Sequence, residues 1–222
     1  MNGILTKSLR EQVYEYLKEE ISKNRIKRGD YININEISVN LGISKTPLRD
    51  ALLQLEIEGF VKILPRKGIV VNELSLEDIK NIYEIIGALE CSVLSSIGDV
   101  FSKKHLNDMY IFNENMKQAL NRNDFNEYYL NNLKFHDTYL NLSSNEPLKK
   151  HIVTLKKRLY DFPPNREYVA EWEINSTKEH DELINLLKNR QFVDAGNFIK
   201  DVHWSFNVQK KYIELYYFKD KR

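Results

Sequence analysis

The segment from Ile43 to Val61 constrains this chain more than any other stretch of its sequence. Near its start, Ser44 is a residue type that caps a helix by accepting a hydrogen bond from a backbone N–H of the first turn. Pro47 lies within that first turn, where its missing N–H costs little. Apolar residues then recur at helical spacing. They predict one buried face, made by Leu48, Ala51, Leu52 and Leu55.

The start of this predicted helix is polar and cationic on the opposite side, where Lys45, Thr46 and Arg49 fall. Helix-turn-helix proteins present this end of their second helix to base edges and phosphates. Arg49 can pair with guanine through two hydrogen bonds, and Lys45 and Thr46 suit phosphate or base contacts. The segment therefore predicts a helix that reads DNA.

The flanking sequence supplies the other parts of a winged helix-turn-helix. Two helices are predicted upstream, and Leu41-Gly42-Ile43 forms a tight turn after the second of them. Downstream, Val61–Leu64 and Ile69–Asn72 are predicted strands, joined by the basic loop Pro65-Arg66-Lys67-Gly68. An ordinary amphipathic surface helix followed by a hairpin is the alternative, but the complete order of elements favours DNA binding. The apolar residues that mark the two upstream helices are Leu9, Val13, Tyr16 and Leu17, then Ile34, Ile37 and Leu41.

The rest of the chain keeps helical periodicity and has hardly any strand signal. Ser75–Asp78 is typical of a helix start and Gly98 of a helix end. We predict six helices that begin near residues 75, 103, 124, 147, 172 and 192. The predicted fold is mainly α: an N-terminal winged helix-turn-helix over residues 1–74, and a C-terminal all-α bundle of six to seven helices over residues 75–222.

Composition limits the classes of protein that fit. The single cysteine, Cys91, excludes an intrachain disulfide and a cysteine-rich zinc site. No long apolar run predicts a membrane span or a secretory signal, so we expect a soluble cytoplasmic protein. The net charge is only +1. DNA binding would therefore depend on placed cations and on two DNA-binding heads acting together in a homodimer.

Polar residues interrupt three apolar stripes of the predicted bundle. Asn132 and His136 are four residues apart on one buried helix face, and His180 and His203 lie on the buried faces of two later helices. Buried polar groups need partners, and these could be each other. Three imidazoles and one oxygen donor suit Zn, Ni or another divalent ion. The alternative is that each histidine is an ordinary hydrogen-bonded core residue.

The first 70 or so residues carry the motifs of a known family. These motifs are Arg28-Gly29-Asp30, the run from Leu41 to Leu52, Leu55-Glu56 with Glu58-Gly59, and Pro65–Gly68. The stretch resembles the winged-helix domain of bacterial transcription regulators of the GntR type. Lys45 stands where the family often has arginine, and Asn35 where many members carry a charged or longer side chain. The resemblance implies that the residues facing DNA are Asn35, Ser44, Lys45, Thr46, Arg49, Arg66, Lys67 and Gly68.

The segment from about Ser75 to Phe206 is similar to the FCD ligand-binding domain of the FadR branch of these regulators. The matching features are Asn132-Leu133-Lys134-Phe135-His136, the turn Ser144–Leu148, Glu179-His180 and His203. The resemblance implies that Asn132, His136, His180 and His203 hold a divalent metal, over which a small organic acid can bind.

This chain departs from the FCD pattern at two positions. Asn132 replaces the family's aspartate, which removes a negative charge from the expected ligand set. Ile86 stands where many members have an arginine that grips the effector's carboxylate. Two alternatives follow: another cation, such as Arg158, holds an acidic effector, or the effector is not acidic.

Together these features predict a dimeric DNA-binding transcription regulator, more specifically a repressor, whose binding to double-stranded operator DNA responds to a small-molecule effector. One alternative is a metal-dependent enzyme fused to a DNA-binding head, although no nucleophile motif, phosphate loop or placed general base is present. Another is a bundle that only dimerises and senses nothing.

Overall fold

The computed structural model describes residues 7–160 and 169–218, and these are mainly helical with one two-stranded antiparallel sheet. The predicted fold class is confirmed. The chain divides into two compact units. Along the sequence, the first unit ends at Ser75 and the second begins at Leu76, and the end of the seventh helix, from Lys157, groups with the first unit. The elements are α1 (Leu9–Ser22), α2 (Ile34–Leu41), α3 (Lys45–Ile57), β1 (Val61–Leu64), β2 (Gly68–Val71), α4 (Leu76–Ser96), α5 (Lys103–Asn121), α6 (Phe125–Leu140), α7 (Glu146–Tyr160), α8 (Ala170–Lys188), α9 (Phe192–Phe198), a π-turn (Ile199–His203) and α10 (Phe206–Phe218).

The first unit is built around α1 and α3, which pack against each other. A capping box opens α1, because Ser8 and Glu11 each accept a backbone hydrogen bond from the other. Leu9 was predicted to lie on the buried face of α1 but is 48% exposed, because it sits in the first turn beside the cap. The four apolar residues predicted for α3 are all fully buried, and they form the centre of this unit.

The turn between α2 and α3 depends on a left-handed residue. Gly42 has φ 64° and ends α2, and its N–H bonds the carbonyl of Val39. Glycine adopts this conformation without steric cost. Ser44 is the N-cap residue of α3 in extended conformation, as predicted, but its hydroxyl makes no capping hydrogen bond. The chain thus enters α3 with the Ser44 side chain on the surface.

The wing is a short hairpin in which Val61 pairs with Val71 and Leu64 with Gly68. Its tip is closed by a 3.0 Å hydrogen bond from the Lys67 N–H to the Leu64 carbonyl. Val61 and Val71 are both 1% exposed, so the base of the hairpin belongs to the core of the first unit while the tip projects.

The described part of the second unit contains seven α-helices, α4 to α10, and the π-turn. The sixth helix predicted from sequence, near residues 192–216, is not continuous. The π-turn inserts at Ile199–His203, and the Trp204 N–H bonds the carbonyls of Ile199 and Val202 to end it. A π-turn carries more residues per turn than an α-helix, so it rotates His203 and Trp204 relative to the expected stripe.

Close packing fixes the π-turn against α4. A β-carbon on Gly87 of α4 would lie 3.1 Å from the Trp204 β-carbon and 3.3 Å from the Lys200 α-carbon. One turn below the π-turn, a β-carbon on Gly196 would lie 2.8 Å from the Cys91 carbonyl oxygen. These two glycines allow the backbones to approach and so bring His203 close to α4. Across residues 7–160 and 169–218, no helix is long and apolar enough to cross a membrane.

Candidate nucleic-acid interface and metal centre

All eight residues expected to face DNA are exposed on the first unit. They fall in three places on the chain, and this distribution over the helix starts and the hairpin tip is typical of a winged helix-turn-helix. Asn35 is at the start of α2, Ser44, Lys45, Thr46 and Arg49 are at the start of α3, and Arg66, Lys67 and Gly68 are at the wing tip.

The start of α3 combines two sources of positive potential. The first turn contains no acidic residue. The unpaired N–H groups of a helix N-terminus attract anions, and Lys45 and Arg49 add side-chain charge at the same end. Because Leu48 and Leu52 are fully buried on the other side of α3, Arg49 is held on the solvent face by the packing of its neighbours.

The wing tip contains two residues with positive φ. Gly68 has φ 113°, a value that L side chains rarely adopt. Arg66 has φ 63°, in a left-handed region that non-glycine residues visit at an energetic cost. Strained residues of this kind are concentrated at functional sites, where the surrounding structure maintains them. The hairpin keeps Arg66 and Lys67 exposed at its tip.

Three of the four predicted metal ligands come together in the second unit. One nitrogen from each of the His136, His180 and His203 rings lies within 4.8 Å of the others. The ring centroids are 5.1 to 5.3 Å apart, which makes the cluster nearly equilateral. His136 and His180 are buried, and His203 is partly buried. The cluster joins α6, α8 and the π-turn, so residues far apart in sequence form one site.

Each histidine of the cluster has its Nδ1 next to an oxygen atom. His136 Nδ1 lies 2.7 Å from the Tyr139 hydroxyl and 3.2 Å from Glu90 Oε2. His180 Nδ1 lies 3.3 Å from Asn113 Oδ1. His203 Nδ1 lies 2.8 Å from Glu179 Oε2. Such partners fix the ring orientation and leave Nε2 as the nitrogen with a free lone pair, as in many metal sites.

The residues whose oxygens contact the three Nδ1 atoms are themselves held in place by hydrogen bonds and an ion pair. Tyr139 donates a hydrogen bond to Glu90, and the Lys156 ammonium lies 2.6 Å from the other oxygen of Glu90. Gln209 donates to Glu179 over 2.9 Å. Asn113 donates to the Thr177 carbonyl and to Asp181. The orientation of the three imidazoles therefore depends on residues from α4, α5, α7 and α10 as well as their own helices.

Three buried atoms of the predicted ligand set make no hydrogen bond. These are Nε2 of His136, Nε2 of His180 and Oδ1 of Asn132. Asn132 is 7% exposed and lies one turn before His136 on α6. Buried polar atoms without a partner cost free energy, so their presence calls for an explanation. Borderline divalent ions bind imidazole nitrogen and accept a carbonyl oxygen, so this donor set fits such an ion.

Burial is the main influence on the pKa values of His136 and His180. Burial, assisted by the positive charge of Lys156, lowers the pKa of His136 to about 3 although Glu90 opposes the shift. Burial also lowers the pKa of His180 well below its ordinary value. For Glu90, burial raises the pKa, but Lys156 and His136 outweigh it and hold that pKa well below the usual range. The result is neutral imidazole beside an ionised carboxylate, the protonation state that metal binding requires.

Sequence reasoning missed part of this site. Glu90 and Lys156 were not singled out, although each lies on an apolar helix stripe: Glu90 between Ile86 and Val93 and Lys156 between Ile152 and Leu159. Like the histidines, both are ionisable side chains on an apolar helix face, so both need buried partners. Arg158, named from the sequence as a cation that could hold an acidic effector, does not group with the residues of this cluster. Arg158 groups with the first unit, and Lys156 is the cation near the histidines.

The fold and these two sites define a DNA-binding transcription regulator of the winged-helix type with a helical second domain. Two family profiles match the chain: "Bacterial regulatory proteins, gntR family" over residues 9–71 and "FCD domain" over residues 81–201. The chain belongs to the GntR family of bacterial regulators and carries an FCD domain.

Comparison with individual proteins agrees with this assignment. An HTH-type transcriptional regulator in the TAR-I ttuE-ttuC' intergenic region of Agrobacterium vitis is 33% identical over 56% of this chain and 75% of its own length. The HTH-type transcriptional repressor RspR of Escherichia coli is 26% identical over 59% of this chain but only 58% of its own length. The solved structure of E. coli McbR/YncC has a TM-score of 0.65 at 19% identity and covers 98% of this chain and all of that one. The family and these relatives are regulators, which confirms the prediction that this chain is not an enzyme.

Proposed function

We propose that this chain is a homodimeric repressor that releases or binds operator DNA in response to a small organic acid held with a divalent metal ion, Zn or Ni, in the FCD domain. The observation that carries this proposal is the convergence of three histidines whose Nδ1 atoms are held by oxygens. In two of them, His136 and His180, the buried Nε2 atom has no hydrogen-bond partner.

Operator recognition would use the eight exposed residues of the first unit. Arg49 supplies base contacts in the major groove, Lys45 and the N-terminus of α3 hold phosphates, and Arg66 and Lys67 contact the backbone from the wing. The chain-wide charge of +1 gives little general attraction to DNA. Two heads in a homodimer, each reading one half-site, would supply the missing affinity.

Repression is the sense of control that the relatives favour. The E. coli relative RspR is named a transcriptional repressor, as is the gluconate operon protein of Bacillus licheniformis, which is 27% identical over 55% of this chain. Transcription from an operator-linked reporter would rise when the gene for this regulator is deleted, and an activator would show the opposite change.

In the second unit, His136, His180 and His203 would hold the metal with Asn132 as a fourth ligand. The metal would offer remaining coordination positions to a carboxylate oxygen of the effector. The buried Nε2 atoms weigh against a bundle that only dimerises, since a purely structural core would satisfy or omit them. An effector must bind the two states of the regulator with different affinity in order to shift operator binding.

The DNA-binding part is tested by replacing Arg49 with alanine. Loss of one bidentate base contact costs about 1–3 kcal/mol, so operator affinity should fall roughly 5- to 150-fold while the far-ultraviolet circular dichroism is unchanged. Lys23→Ala, which removes an exposed cation after the end of α1, is the matched control and should bind as wild type. Equal affinity of the Arg49 variant and the wild type in fluorescence anisotropy would remove Arg49 from the interface.

The metal part is tested by histidine replacement and elemental analysis. Wild-type protein titrated with Zn²⁺ should take up one ion per chain, and His136→Ala and His203→Ala should take up none. His151→Ala is the control, because His151 is exposed on α7. If wild type and the His136 variant take up equal amounts of zinc, the cluster is not the metal site. A thermal-shift screen of organic acids on the zinc-loaded protein then tests for the effector, since a true ligand stabilises the folded state.

A further inference from the structure

We infer that Tyr31 is a further DNA-binding residue of this regulator, which supports the wing tip with its ring and donates a hydrogen bond from its hydroxyl to a phosphate of the operator. Tyr31 is not among the eight residues that the family resemblance places at the DNA. The inference rests on the proposed operator interface and adds a contact to it. It follows from the position of Tyr31 beside the wing.

The residues just before α2 pair with the wing along strand β2. Tyr31 pairs with Val70 in an antiparallel bridge, and the Ile32 N–H bonds the Ile69 carbonyl over 2.7 Å. Because the segment is bonded to the strand that leads out of the wing tip, Tyr31 keeps a fixed position relative to that tip. Two more hydrogen bonds, of 2.9 and 3.0 Å, join this segment to β2, and both are made by Val71, with Gly29 and Asp30.

The Tyr31 side chain lies on the solvent side of this small sheet. Side chains alternate between the two faces along a strand. Ile32 and Ile69 are 7% and 6% exposed and belong to the core, whereas Tyr31 is 60% exposed. Its ring extends towards the wing tip, where a β-carbon on Gly68 would lie 3.4 Å from Tyr31 Cδ1. Tyr31 is thus an exposed aromatic residue next to a position expected to face DNA.

Tyr31 lies between two places where DNA contacts are expected. Arg66 and Lys67 are exposed at the wing tip, on one side of it. On the other side α2 begins three residues after Tyr31, and its second residue is the exposed Asn35. Since the chain from Tyr31 towards α2 runs antiparallel to β2, it runs towards the wing tip. A duplex that contacts both the wing tip and the start of α2 therefore passes over Tyr31.

The hydroxyl of Tyr31 is a suitable donor for a phosphate at this place. The side-chain oxygen of Asn33 already accepts the N–H groups of Asn35 and Glu36, so these two amides of α2 are occupied. The Tyr31 hydroxyl has no hydrogen-bond partner among residues 7–160 and 169–218. Tyrosine side chains donate hydrogen bonds to phosphate oxygens, and such contacts position a protein on the duplex without reading its sequence.

The salt dependence of binding distinguishes this contact from those of the nearby cations. A lysine or arginine that neutralises a phosphate releases counterions, which makes affinity fall as salt rises. A neutral hydroxyl releases none. Loss of the Tyr31 hydroxyl should therefore weaken binding without changing the salt slope, whereas displacement of Arg66 and Lys67 should make the slope smaller.

Full-length protein is tested by fluorescence anisotropy over a range of KCl concentrations. The probes are the duplex that the wild type selects from a random-sequence pool and an unrelated duplex of the same length. Tyr31→Phe removes only the hydroxyl and should weaken binding to both duplexes by about threefold or more, as expected for one lost hydrogen bond. Its plot of log affinity against log salt should have the wild-type slope.

A second variant and a matched control complete the experiment. Tyr31→Ala also removes the ring beside Gly68, so it should bind more weakly than Tyr31→Phe and show a smaller salt slope. Tyr110→Phe removes a hydroxyl of similar exposure, 54%, from α5 in the second unit and should bind as wild type. Thermal unfolding of Tyr31→Phe should match that of wild type, which excludes misfolding as the cause of weaker binding.

The outcomes separate this inference from the proposed function. Wild-type affinity of Tyr31→Phe for both duplexes overturns the phosphate contact, and a defect in Tyr31→Ala alone then leaves the ring only a supporting part. A smaller salt slope in Tyr31→Phe also overturns the contact, because the residue would act through Arg66 and Lys67. Weaker binding to the selected duplex alone shows that the hydroxyl reads a base instead. If the wild type selects no duplex, operator binding itself fails.

Discussion

Replacement of Lys156 by methionine tests whether the buried ion pair organises the FCD domain. Methionine keeps the length and apolar stem of lysine, so contact with Trp204 is retained while the charge is lost. Glu90 is fully buried, and without Lys156 its carboxylate has no buried cation beside it. Removal of one partner of a buried pair typically costs about 3–5 kcal/mol, because the other charge is left uncompensated.

The destabilisation caused by the loss of Lys156 should also depend on pH. In wild type, Lys156 and His136 hold the pKa of Glu90 below its ordinary value, so the stability it contributes is present above its unfolded pKa and is lost only in strong acid. In the Lys156 variant, burial should raise that pKa above the unfolded value. The variant should therefore be most destabilised at neutral pH and should recover part of the difference as the pH falls towards 5.

The measurement is thermal unfolding followed by circular dichroism at pH 5 and pH 7. A loss of about 3 kcal/mol corresponds to a fall in Tm of roughly 6–12 °C for a chain of this size. Lys157→Met, an exposed lysine one residue further along, should change Tm little. Adding Glu90→Gln to the Lys156 variant should restore most of the stability. Equal unfolding temperatures for the Lys156 and Lys157 variants would show that the buried ion pair does not stabilise the domain.

Three further predictions follow from the packing, the histidines and the connection between the units. Leu52→Ala, at a fully buried position of α3, should destabilise the first unit by about 2–5 kcal/mol in urea unfolding, whereas Leu53→Ala, at a 49% exposed position, should cost far less. In metal-free protein, the pKa values of His136 and His180 are lowered, so as the pH falls the unfolded state takes up protons that the folded state does not. The free energy of unfolding should therefore fall as the pH drops from 7 to 5. His180→Gln should make this pH dependence weaker. Insertion of Gly-Ser residues within 72–75 should leave operator and zinc affinities unchanged but reduce the effect of the effector on operator binding; an unchanged effect would show that this connection does not carry the signal.

The elements of the fold could be predicted because each has a local signal. The start of α3 is marked by Ser44 and Pro47, the turn before it by Gly42, and the wing by a basic loop between two short apolar runs. The break between α9 and α10 could not be predicted, because the π-turn has no distinctive residue pattern. It coincides with a tertiary contact, the close approach of the backbone near Lys200 to Gly87 of α4.

The candidate metal centre was predictable only as a set of residue types. Histidines on apolar stripes indicate buried imidazoles that require hydrogen-bond or metal partners. The resemblance to FCD domains indicated which of the histidines converge. Their partners depend on helix packing that periodicity does not report. Glu179 precedes His180 in sequence and looked like its neighbour, but it bonds His203 from another element. The choice between Arg158 and Lys156 likewise depended on which side of α7 faces the bundle.

α4 is the element through which the state of the site can reach the DNA-binding unit. It begins at Leu76, directly after the short connection that follows the wing strand β2, which ends at Val71. Glu90, near its far end, contacts His136, and Gly87, one turn earlier, contacts the π-turn that carries His203. Metal and effector would act on both of these contacts at once. Because the helix is continuous from Leu76 to Ser96, we predict that a shift at Glu90 would also move the start of α4.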